Sequence, residues 1–184
     1  MTLVLIGVNV AVYFVLGPAL WGEDWILRLG LIPGDWGFEP WRLVTSGFAH
    51  FGVAHLIFNM FALFQFGTVV ETLLGRLRFA LVYGLSLLGG GLMILALGKP
   101  YSIHAGASGA IFGVLAAFVV LSLLLKRPAY DVMVLGGLWL MLGFVIEGLS
   151  WEGHLGGAIV GAVSALIIVR IGDPTRRRSR PRSR

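Results

Sequence analysis

The chain has 184 residues, of which 58% are hydrophobic and 12% charged, and its mean hydropathy is +0.91. A soluble domain needs a charged exterior that this composition lacks, so the chain reads as an integral membrane protein. The net charge of +5 resides in residues 173–184, six arginines against Asp173, which argues against a basic nucleic-acid-binding core; the absence of cysteine excludes disulfides, thiolate metal sites and a cysteine nucleophile.

Met1 to Gly22 carries no charge, a basic n-region and a small-residue cleavage site are both missing, and the segment is expected to be an uncleaved first span. Residues 21–48 mix Trp21, Trp25, Trp36 and Trp41 with Glu23, Asp24, Asp35, Glu39, Pro33 and Pro40. Tryptophan favours membrane interfaces, so a structured loop on or partly in the bilayer surface is expected. Further spans are predicted at Phe51–Val70, Phe79–Leu97 (with Gly89-Gly90-Gly91 inside it), Ser108–Leu125, Val132–Leu149 and Gly153–Val169. A helix over Ser108–Leu125 rises only about 27 Å, so Ser108 is expected to sit just below one interface. The fold class is therefore an all-α polytopic membrane protein with six spans over residues 1–172, followed by a basic, disordered tail over 173–184. Arg76, Arg78, Lys126, Arg127, Arg170 and the arginine tail share one side, which the positive-inside rule makes cytoplasmic, together with both termini. Attraction of the tail to anionic lipid is a secondary expectation.

Polar residues in such a chain are few. His50 and His55 stand at the outer part of the second span, with Asn59 four residues beyond His55; Ser108 opens the fourth span and His154 the sixth. Burying an imidazole or a carboxamide in hydrocarbon costs several kcal/mol without partners, so these groups are expected to share a polar cavity near the outer leaflet. Gly153, Gly157 and Gly161 form a smooth stripe at four-residue spacing, and Gly109 and Gly113 form another. Two such stripes let helix backbones approach closely and would bring Ser108 to His154, a nucleophile with its general base. Glu71 and Asp131 lie at the other side and Glu147 and Glu152 at the outer rim, so a dyad is expected, with Asn59, His55 and the Ser108 N–H as oxyanion donors. His104, in the loop before Ser108, is expected to be merely solvated, and Asn9 to bond to another helix. A metal site is not expected: H-E-x-x-H is absent, and His50 and His55 are five residues apart. No cofactor is implied.

Trp41-Arg42, His50-x4-His55-x3-Asn59, Gly67, Glu71, Gly106-Ala107-Ser108-Gly109 and His154-Leu155-Gly156-Gly157 together resemble the rhomboid intramembrane serine proteases. The resemblance implies a compact six-helix bundle with a membrane-associated first loop. It also implies hydrolysis of peptide bonds in or near the transmembrane segments of membrane proteins that enter laterally from the bilayer. Ser108 matches the nucleophile and His154 the base; His55 and Asn59 match the oxyanion site, and His50 a histidine of the same network. Arg42 and Glu71 match structural positions. Phe112 stands where many members carry tyrosine against the catalytic histidine. A bacterial inner membrane is the expected location. The alternative is a catalytically inactive rhomboid-like protein that binds membrane clients.

Overall fold

The computed structural model describes residues 1–17, 19, 22–34, 39–145 and 149–172. The expectations for Trp21, Trp36, Glu147 and the 173–184 tail lie outside these residues. The described chain is an all-helical bundle. Helix α1 spans Thr2–Leu16, and two short helices follow in the first loop, α2 (Trp25–Leu29) and α3 (Arg42–Thr45). The long elements are α4 (Val53–Leu74), α5 (Arg76–Leu97), α6 (Ser108–Leu124), α7 (Tyr130–Val145) and α8 (Trp151–Gly172). Helices α4, α5 and α8 are long and apolar enough to cross a membrane; α1, α6 and the Tyr130–Met141 part of α7 are shorter apolar helices. Large apolar side chains such as Leu3, Phe14, Ile57, Phe61, Leu77 and Ile167 are exposed, the arrangement of a helical protein whose solvent is hydrocarbon.

Local chemistry sets the boundaries. Gly75 adopts φ +83°, which ends α4 and lets α5 begin three residues before the predicted Phe79. After α6, Lys126 takes φ +56° and the Arg127 N–H donates to Ser122 O at 2.8 Å, closing the helix ahead of Pro128. Glu71 anchors the start of α1: its carboxylate accepts from both the backbone N–H and the hydroxyl of Thr2, each at 2.7 Å. A carboxylate at a helix N-terminus satisfies donors that the helix cannot, so Glu71 ties α1 to α4. Asn9, fully buried, donates to Leu5 O within its own helix at 2.8 Å and faces Tyr83 of α5.

The centre of the bundle is a three-helix contact made of glycine. A Cβ placed on Gly157 of α8 would lie 1.9 Å from the Gly109 carbonyl oxygen of α6, and one on Gly161 2.2 Å from that of Gly113. A Cβ on Gly90 of α5 would come within 2.8 Å of Gly153 O. Gly89 packs in turn on Gly156 and Val160, so the triple glycine of α5 is a packing surface as its sequence suggests. Trp25 departs from its expected interfacial place. It is buried, edge-on to Tyr13 at 5.7 Å and pressed against Gly17, and forms a small core with Leu29 and Ala49. Trp41 is exposed, as an interfacial side chain should be.

Substituting Gly157 by valine should cost at least about 3 kcal/mol, because backbone atoms and not a flexible side chain would have to move. Gly84→Ala, where nothing lies within 4 Å, should be neutral or stabilising by roughly 0.5–1 kcal/mol through helix propensity. Thermal melting of the two purified variants beside the parent checks both.

Candidate active site

Ser108 is positioned by backbone, through the loop that precedes it. Leu31 and His104 exchange N–H···O bonds of 2.9 and 2.8 Å, Tyr101 N–H donates to Pro33 O at 2.7 Å, and Gly106 N–H donates to Ser46 O at 2.8 Å. The segment entering α6 is thus laced to the first loop. That loop is held by Arg42, whose Nη1 donates to Leu27 O and Gly30 O at 2.6 and 2.8 Å while its guanidinium pairs with Glu39 at 2.6 Å. One rigid fork therefore satisfies two orphan carbonyls and a carboxylate, and Thr45 Oγ1 serves a third carbonyl, Leu29 O, at 2.9 Å. Arg42 and Glu71 both hold the fold together.

The glycine contact between α6 and α8 brings their N-terminal ends together. Ser108 Oγ lies 3.0 Å from His154 Nε2, a hydrogen bond across 46 residues of sequence. The His154 ring is buried and lies flat on Phe112, with ring centroids 4.2 Å apart and planes 9° from parallel. Its Nδ1 has no hydrogen-bond partner among the described residues, which show a pair. A Cβ on Gly106, held at φ +129°, would meet the His55 ring at 2.8 Å and Ser108 Oγ at 3.8 Å. His55 therefore flanks the serine with only that glycine between. His50 stands edge-on behind His55 at 5.1 Å and is wholly buried. Asn59, also buried, directs Nδ2 to His55 O within its own helix at 2.9 Å and makes no hydrogen bond to Ser108. A cavity of about 30 Å³ adjoins the serine, lined in part by Ser46, His104, Gly106, Ser150 and Gly153. No cluster of three or more metal-ligating side chains occurs among the described residues.

Two histidines lie outside the spanning helices. Burial pushes His50 down to about 4, helped by His55 and opposed by the Phe48 carbonyl, although neither ring nitrogen reaches hydrogen-bond geometry. His104 is not simply solvated. It is half-buried, with Nε2 2.8 Å from Ser102 Oγ and Nδ1 2.8 Å from Ser150 Oγ, and Ser150 reaches the buried Glu152 at 3.3 Å. The sequence carried one hint of this set: His104 and Ser150 each stand four residues before Ser108 and His154.

A part-buried serine and a buried histidine joined across two glycine-packed helices define a helical membrane protein with a hydrolase-like pair. The Rhomboid domain model matches residues 37–171, and the chain belongs to that family. It is 37% identical over 146 residues to rhomboid protease GluP of Bacillus subtilis, covering 76% of this chain and 28% of that protein. Against rhomboid protease AarA of Providencia stuartii the identity is 28% over 211 residues, covering 93% and 73% of the two chains. Rhomboid protein 1, mitochondrial, of Saccharomyces cerevisiae is 29% identical over 194 residues, 95% of this chain and 55% of that one. The chain thus spans from about a quarter to about three quarters of these relatives.

The depressed His50 fixes a pH response. Between the unfolded value near 6.5 and about 4, the unfolded chain takes up a proton that the folded one refuses, so stability falls as pH drops through that window. His50→Gln should flatten the fall by up to roughly 3 kcal/mol, read by chemical unfolding in detergent at pH 7.5, 6 and 4.5.

Proposed function

We propose that the chain is an intramembrane serine endopeptidase acting on transmembrane segments of membrane proteins. The observation that carries this reading is the 3.0 Å bond from Ser108 to His154 inside a rhomboid-family bundle. Ser108 Oγ attacks the substrate carbonyl carbon as His154 Nε2 takes the hydroxyl proton, and His154 returns that proton to the leaving amine when the peptide C–N bond breaks. Water then attacks the acyl-serine as His154 takes its proton, and the ring returns that proton to Ser108 Oγ as the acyl C–O bond breaks and the carboxyl product leaves.

The Ser108 N–H at the start of α6 and the His55 ring across Gly106 are suited to the oxyanion, and Asn59 joins them if its carboxamide turns from His55 O. Phe112 keeps the His154 ring in plane without a hydroxyl. His50 backs His55. The six apolar helices are read as six spans with both termini cytoplasmic, so that Ser108 opens outward beneath the first loop. Substrates reach it laterally from lipid and unwind to expose a carbonyl, since helical backbone is already hydrogen-bonded. Residues 1–172 form the protease core in this reading, and the arginine tail a cytoplasmic extension near lipid headgroups.

Cleavage of a transmembrane model substrate by detergent-purified protein tests the assignment. Ser108→Ala and His154→Ala should each lower kcat by at least about 10³-fold, and fluorophosphonate labelling should vanish with Ser108→Ala. Equal cleavage by all three proteins would overturn the dyad. A parent that neither cleaves nor labels would instead favour the client-binding reading.

A further inference from the structure

The proposed chemistry leaves the polar set beside the dyad unused. His104 meets Ser102 through Nε2 and Ser150 through Nδ1, both at 2.8 Å. Ser102 Oγ donates to Lys99 O at 2.6 Å, and Ser150 Oγ approaches Glu152, 6% exposed, at 3.3 Å. The placement repeats that of the dyad. His104 and Ser150 are 46 residues apart, as are Ser108 and His154, and each member of the first pair precedes its counterpart by four residues. Ser150 is also bound directly to the histidine's helix, its carbonyl accepting from His154 N–H at 3.1 Å. His104, Ser150 and Ser108 line the same small cavity. The set therefore spans the two chain segments that deliver the reacting groups.

Donor counting adds direction. The single Ser102 proton is committed to Lys99 O, so Ser102 Oγ accepts from His104 Nε2–H. In the neutral ring Nδ1 then accepts the Ser150 proton and leaves Glu152 with only the longer 3.3 Å approach. In the imidazolium Nδ1–H donates to Ser150, whose proton passes to the Glu152 carboxylate, and every partner is served. Burial lowers the His104 pKa, and Glu152 at the start of α8 raises it. From the first loop the His104 backbone bonds to that of Leu31. From its own loop come the Ser102 hydroxyl and the Lys99 carbonyl. Among the described residues, Glu152 is the charged group acting on the ring.

We infer that His104 is a positioning residue, a strut which through Ser150 and Glu152 sets the spacing between the segment entering Ser108 and the segment entering His154. The inference rests on the serine-protease reading. A strut acts on the geometry of the reacting pair and not on substrate affinity. Misplacement by about 1 Å is enough to cost up to 10²-fold in rate.

The test uses the full chain in detergent: parent, His104→Ala, His104→Gln, Ser150→Ala and the His104→Ala/Ser150→Ala double variant, with kcat and KM referred to the folded fraction. Each alanine variant should lower kcat about tenfold with KM within roughly twofold, and the double should lose no more than the worse single, as residues acting through one contact do. His104→Gln, which keeps a donor and an acceptor, should recover part of the loss. It and Ser150→Ala carry the test if His104→Ala fails to fold. Unchanged kcat per folded molecule, or losses that multiply in the double variant, would overturn the strut. A parent without Ser108-dependent labelling would instead bring down the protease reading, a result distinct from an active parent with indifferent variants. Histidine NMR titration reads the network without turnover. Glu152→Gln should shift the His104 pKa downward, because the carboxylate that favours the imidazolium is gone, and an unmoved titration would remove Glu152 from it.

Discussion

Everything at the candidate site depends on two helices touching backbone to backbone. Gly109 and Gly157, then Gly113 and Gly161, leave no room for even a methyl group, and α5 closes the third side with Gly89 and Gly90. In hydrocarbon there is little hydrophobic drive between helices, so close van der Waals contact must supply the association. The same contact fixes the relative height of the two helices. Ser108 stands one residue from Gly109, and His154 three residues from Gly157, so the 3.0 Å hydrogen bond is a by-product of glycine registration. The glycine contact sets the two helices, and hydrogen bonds of the segments that enter them, His104 to Ser150 among them, complete the spacing.

Polar groups inside such a bundle are sorted by what they are given to bond. Arg42 and Glu71 are charged, yet each is consumed by main-chain donors or acceptors left over at a loop or a helix end. His50 receives no such partner and responds by holding its proton off, which leaves a neutral ring behind His55. His154 sits between these cases, one nitrogen engaged by Ser108 and the other unpartnered among the described residues. A histidine whose second nitrogen lacks a carboxylate is positioned by packing, and here the flat face of Phe112 does that work.

The helices and the principal pair were legible because they break a monotone. Ser108, His154, His55 and Asn59 stand out in apolar runs, and glycine at four-residue spacing declares a contact surface by itself. Membership of the rhomboid family agrees with the helical reading. Less could be read in the loops. Trp25 carries the interfacial signal of any tryptophan, but its burial against Tyr13 and Gly17 depends on how the first loop folds back over α1, which no periodicity records. The role of His104 was harder to read: Ser102 is its neighbour in the chain, but Ser150 comes from another loop, and only the tertiary structure sets it beside the ring. Helix ends moved by a few residues where a single positive φ, as at Gly75, decides them.

The lacing of the loop before Ser108 bears on how this protein can vary over generations. Its ties run from the amides of Leu31, Tyr101, His104 and Gly106 to the carbonyls of His104, Pro33, Leu31 and Ser46. Main-chain bonds are blind to side-chain identity. Sequence drift at Leu31, Tyr101 and His104 is filtered by proline, which has no N–H to give, whereas Gly106, held at φ +129° against the His55 ring, excludes any side chain. The placement of Ser108 is inherited as a path of the chain, with side chains entering where Gly106 must stay small and where His104 meets Ser150.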